Sequence, residues 1–121
     1  MHELSLACSI QEIVEQEIGR RCGGKLRGRV PSLTVRVGSM SGVEPEALSF
    51  AWDVTREQGP FPEAHLEIEK IPARALCNRC SRAFLLEESN GECPSCGVCP
   101  FRIVEGRELE VRRIVWEDDE S

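Results

Sequence analysis

Four cysteines carry the most specific chemistry in this sequence. Cys77-Asn78-Arg79-Cys80 and Cys93-Pro94-Ser95-Cys96 are two Cys-x-x-Cys pairs with twelve residues between them. Such a turn sets two sulfurs on one side of an ion with backbone amides aimed at them, so two turns close one tetrahedral site from both sides. The spacing is close to that of a zinc ribbon. Four thiolates leave no open position for a water, so the chemistry is structural rather than hydrolytic. Cys93-Pro94-Ser95-Cys96-Gly97 also suits a rubredoxin-like iron site. The cysteines thus admit either metal, with zinc the expected one. Cys99 adds a third thiol at the second knuckle, as a spare or as a substitute for Cys96. Cys96 mirrors the first pair, and Gly97 after it permits a tight turn.

A second donor set stands at Met1-His2-Glu3. The free amino group, the amide nitrogen of His2 and its imidazole Nδ1 close adjacent five- and six-membered chelate rings on one ion, with Glu3 supplying the next donor. This nitrogen-rich plane suits Ni(II) or Cu(II) rather than zinc, calcium or magnesium. The competing reading makes His2 a solvated terminal residue and Glu3 a charge complementing a helix dipole.

The elements that must position these groups are few. In 121 residues with 40% hydrophobic content there is material for one modest core. The cysteine segment is too short to fold by burial alone, so its stability must come largely from the ion. Leu6, Ala7, Ile10, Ile13, Val14 and Ile18 share one arc at 3.6 residues per turn, which predicts an amphipathic helix ended by Gly23-Gly24. Cys8 and Cys22 read as packed or idle thiols, and Lys25, Arg27 and Arg29 as a solvated basic loop. Leu33, Val35 and Val37 predict a strand beyond Pro31, and Pro45 opens a second helix that Gly59-Pro60 ends. Leu66 and Ile68 alternate in another strand, on whose polar side His65 sits. Between the cysteine pairs, Ala83 to Leu86 predict one short strand in a ribbon made mostly of loops. Leu109 and Val111 have opposite parity to Ile114 and Trp116, so a continuous strand there needs a bulge near Arg112-Arg113. Glu117 to Glu120 read as a disordered acidic tail.

The expected fold is α+β: a small sheet of about three strands with two helices, plus an inserted zinc-ribbon-like module. Residues 1–75 and 106–121 would form the first domain and residues 76–105 the metal domain. A net charge of −6 offers no long-range attraction to phosphate backbones, which weighs against a nucleic-acid partner. An odd cysteine count, with no secretory segment and no apolar run of membrane-spanning length, points to a reducing cytoplasm and no membrane. No nucleophile and base stand paired, so no enzymatic turnover is expected.

Met1 to Leu6, Val37-Gly38, Ser41 to Phe50, Leu66 to Ile68, the two cysteine pairs and Gly106-Arg107-Glu108-Leu109 together resemble the HypA/HybF nickel-incorporation proteins of hydrogenase maturation. The likeness covers nearly the whole chain, and Cys99 departs from the family pattern. The resemblance implies a nickel metallochaperone that binds Ni(II) through Met1, His2 and Glu3 and holds structural Zn²⁺ with Cys77, Cys80, Cys93 and Cys96. It further implies work with a nickel-insertion GTPase and the hydrogenase large-subunit precursor. A monomer and a homodimer are both compatible with the sequence. The alternative is a zinc-ribbon protein- or nucleic-acid-interaction module without nickel function.

Overall fold

In the computed structural model, residues 3–24, 26–89, 91–97 and 100–118 are described. Helix α1 spans Glu3–Arg21 and buries Ala7, Ile10, Val14 and Ile18, whose spacing keeps them on one face. Leu6 is half-buried against that core, whereas Ile13, expected on the same arc, is 47% exposed. Arg20 and Arg21 both reach back to Glu17 at 3.2 Å, and Gly23 and Gly24 leave the helix with positive φ.

Strand β1 (Arg29–Gly38) is the centre of the first sheet, between β2 (His65–Ile71), which runs parallel to it, and β6 (Leu109–Glu117), which runs antiparallel. The strand starts before Pro31 rather than after it. Arg29 pairs with Glu117 and Ser32 with Val115, so the sheet takes up one extra β1 residue around Pro31, which has no N–H to offer a neighbour. The connection from β1 to β2 carries helix α2 (Pro45–Arg56), with Pro45 in its first turn and Leu48, Ala51 and Trp52 buried. Trp52 Nε1 donates to the Ala64 carbonyl at 2.9 Å, and Gln11 on α1 donates to Thr55 Oγ1 on α2 at 3.0 Å.

Leu33, Val35 and Val37 of β1 are buried in one core with both helices. On alternate positions the sheet is polar: Arg36 pairs with Glu69 at 3.4 Å and with Glu110 at 3.2 Å. Strand β6 carries the bulge that its parity requires. Thr34 pairs with Arg113 and the next residue, Val35, with Val111, so Arg112 is the extra residue and Leu109, Val111, Ile114 and Trp116 all pack on the core.

A second sheet, ordered β4-β3-β5, follows from β3 (Arg74–Cys77), β4 (Ala83–Leu85) and β5 (Phe101–Glu105). The expected short strand is β4; β3 and β5, which the sequence pattern did not signal, flank it, and turns and loops make up most of the rest of the ribbon. Arg74 and Ala75, assigned by sequence to the first domain, pair within this second sheet. Leu86 opens a 3-10 turn instead of extending β4. Its core is small: Ala75, Cys77, Phe84 and Cys93, with Phe84 edge-on to Phe101 at 5.9 Å between ring centres.

Two further corrections concern charge. The basic loop does not stand free in solvent, because Arg27 meets Asp118 through two 3.1 Å hydrogen bonds and Arg29 pairs with Glu117. For the same reason the acidic tail is not wholly a solvated run: Glu117 is the last residue of β6. Lys25, Asp119 and Glu120 lie outside the described residues.

Candidate metal centres

The first knuckle grows out of β3. Cys77 ends that strand, and the chain turns so that the Ser81 amide donates to the Cys77 carbonyl at 3.1 Å. Ser81 takes φ 63°, the only positive φ of a non-glycine among the described residues. The second knuckle repeats the device, with the Gly97 amide donating to the Cys93 carbonyl at 2.8 Å and Gly97 at φ 73°. Sequence reasoning anticipates the glycine; Ser81 gives no comparable signal, since serine seldom marks a left-handed position.

Inside the first turn, the amides of Arg79 and Cys80 each donate to Cys77 Sγ at 3.4 Å. The Cys80 amide foremost, then that of Arg79, draws the Cys77 thiol down to about 6. The Cys96 amide, against the cost of burial, lowers Cys93 in the same way. At Cys80 the Arg82 amide favours the thiolate, but burial and the neighbouring Cys77 and Cys93 sulfurs outweigh it and the thiol is pushed up. Cys77 and Cys93 are buried, and Cys80 and Cys96 face solvent.

All four sulfurs lie within 4.8 Å of one another, with Cys77–Cys96 at 3.5 Å and Cys80–Cys93 at 3.6 Å. A tetrahedral zinc site with Zn–S of about 2.3 Å would set its sulfurs about 3.8 Å apart. The cluster therefore fits zinc in donor type, number and span, and Cys77, Cys80, Cys93 and Cys96 are the residues that would hold it. Bound there, the ion would cross-link the two knuckles. Cys99 lies outside the described residues, and so do Met1 and His2.

Glu3 is described. It opens α1, and its Oε2 accepts a hydrogen bond from the Glu44 amide at 3.3 Å, just before the first turn of α2. Beside that turn is a cleft of about 440 Å³ reached by Ser39 and Glu44 of the connection after β1, Pro45 of α2, Lys70 of β2 and Glu87 after β4. The Glu3–Glu44 contact spans 41 positions, and no local sequence pattern signals it.

An α+β body with a thiolate ribbon set between two of its strands defines a small metalloprotein whose metal centre is part of the fold. No helix among the described residues is long and apolar enough to cross a membrane. Residues 1–116 match the family model described as HypA, hydrogenase/urease nickel incorporation, metallochaperone. The hydrogenase maturation factor HypA of Geobacter metallireducens is 34% identical over 114 residues, covering 94% of this chain and 97% of the relative. That of Roseiflexus sp. (strain RS-1) is 38% identical over 120 residues, covering 98% and 94%. The solution structure of the nickel metallochaperone HypA from Helicobacter pylori has the same fold, with a TM-score of 0.63 at 21% identity over 98% of this chain and all of that one. A second HypA solution structure gives 0.67 at 22% identity over 97% of each chain. The chain belongs to the HypA family of nickel-incorporation metallochaperones. It serves hydrogenase maturation, with nickel as its cargo and partners within the maturation system.

Proposed function

We propose that the cargo nickel is carried by the first three residues, through the terminal amine, the His2 amide and Nδ1, and Glu3. The observation that carries this reading is the anchoring of Glu3: its carboxylate is tied to the start of α2, so the third residue of the donor set is held against the folded body. That removes part of the ordering cost of closing chelate rings. Nickel needs a deprotonated amine and a neutral imidazole, whose ordinary pKa values are about 8 and about 6.5, so acidification releases the cargo. Copper(II) should bind the same atoms more tightly, which leaves selectivity to copper supply and to partner recognition.

In this reading residues 74–105 form the zinc domain and residues 1–73 with 106–121 the nickel domain. The first junction lies two residues earlier than the sequence suggests because Arg74 and Ala75 pair in the second sheet. Zinc stays in the four-thiolate site while nickel passes on, from this protein toward a nickel-insertion GTPase and the hydrogenase large-subunit precursor. The protein turns over no substrate, and it works in the cytoplasm, where the thiols Cys8 and Cys22 and the zinc-site cysteines Cys77, Cys80, Cys93 and Cys96 stay reduced.

Calorimetric nickel titration of untagged, zinc-loaded protein tests the assignment. Both His2→Ala and a residue added before Met1 should abolish tight nickel binding and leave zinc content unchanged. Unaltered nickel affinity in the two variants would place the cargo elsewhere.

A further inference from the structure

We propose that the open edge of β6, with the groove between β6 and the carboxy-terminal half of α1, docks an extended acidic segment of a partner protein that joins the sheet as an added strand. The order β2-β1-β6 leaves one side of β6 without a neighbouring strand among the described residues. An edge of this kind presents unpaired N–H and C=O groups, and pairing with a foreign strand satisfies them.

The side chains beside this edge are incompletely covered. Val111, Ile114 and Trp116 face the core yet remain half-buried. With Ile13 and Ile18 they border an open cleft of about 430 Å³. A smaller recess of about 100 Å³ shares Ile13 and Val111 and continues the groove toward Leu6 and Leu109. Ile13 is 47% exposed there, and Val115 is 39% exposed on the same strand. Alternate residues of an incoming strand would fill this groove while the others stay in water.

Charge selects the partner. The chain carries −6 overall, yet the cleft is bordered by Arg21, Arg112 and Arg113 against Glu17. Arg20 and Arg21 share Glu17, and Arg112 reaches Glu69 at 3.1 Å. Arg113 has no carboxylate within ion-pair distance among the described residues. A second copy fits this edge poorly, because antiparallel β6–β6 pairing would bring the Arg112-Arg113 pairs together. An acidic strand meets the same charges favourably. The basic end of the groove lies well away from Glu3: Glu17 is about 20 Å further along α1 at 1.5 Å per residue. Docking there leaves the nickel end accessible.

The test uses the full, zinc-loaded chain and two labelled, blocked peptides, one alternating glutamate with valine and the other lysine with valine, read by fluorescence anisotropy and by backbone amide shifts. The glutamate peptide should bind, shift amides in β6 and the second half of α1, and weaken as salt rises; the lysine peptide should not bind. Arg113→Glu should weaken binding about fivefold or more, as should Ile13→Glu, while His2→Ala leaves it unchanged. Arg113 and Ile13 are exposed, and thermal melts establish that both variants fold; should Ile13→Glu fail to, Arg113→Glu alone decides. Binding that ignores charge, shifts elsewhere in the molecule, no binding at all, or a self-association in sedimentation that Arg113→Glu disrupts would each overturn the proposal.

Discussion

Glu108 braces the turn between β5 and β6 and joins it to the end of β1. Its Oε1 accepts the Gly106 amide at 2.7 Å, its carbonyl accepts the Gly38 amide at 2.7 Å, and Arg36 stands near enough to act on its charge. Its own amide, then that of Gly106, lowers the carboxyl below the usual 4.5, with Arg36 adding to the effect against some burial. A carboxyl depressed in the folded state stabilises fully above its unfolded pKa, and that contribution is lost as pH falls through the lower folded value. Glu108→Gln should therefore flatten the acid limb of a plot of Tm against pH below about 4.5 and lower Tm near neutrality. A plot parallel to that of the parent would count against this role. At this scale the thiolate cluster is legible in the sequence, because Cys-x-x-Cys is a local turn whose chemistry depends on two nearby residues. The ties of Glu3 to Glu44 and Arg27 to Asp118 are not, because they join positions 41 and 91 apart.

Among the elements, β6 was legible from parity alone. Two apolar pairs out of phase require one extra residue between them, and Arg112 is that residue. Deleting Arg112 should make the strand regular while Leu109, Val111, Ile114 and Trp116 all stay inward, at a cost of about 1 kcal/mol for the lost ion pair with Glu69. Deleting Glu110 should instead turn Leu109 to the open face and cost about 2 kcal/mol. Denaturant unfolding of the two variants compares them directly; equal losses would contradict the register. Strands β3 and β5 were illegible for a physical reason. Strand β3 has four residues and ends in a cysteine already claimed by the metal motif, while Val104, exposed between half-buried Ile103 and Glu105, breaks the apolar alternation of β5.

The whole molecule has two cores of unequal means. The first gathers buried side chains from α1, α2, β1 and β2; the second has four buried residues, two of them the metal-site cysteines Cys77 and Cys93. Removing zinc with a chelator should therefore abolish amide-exchange protection in β3, β4 and β5 while leaving it in β1 and β2. Uniform loss across both sheets would show a single cooperative unit. The first core was legible because its helices and strands are long enough for periodicity to show. The joint between the sheets was not, since it rests on backbones brought together by the fold. A Cβ on Gly106 would lie 2.6 Å from Ala73 Cα, and one on Gly38 would lie 2.0 Å from the Gly106 carbonyl oxygen. The chain thus leaves the first sheet and re-enters it at almost one point. In polymer terms the ribbon is a cassette whose two ends already meet, so exchanging it adds little loop-closure entropy to the body. Replacing residues 74–105 by a short glycine turn should leave β1, β2 and β6 protected from exchange, and ribbons of other lengths and metals could be grafted at the same joint.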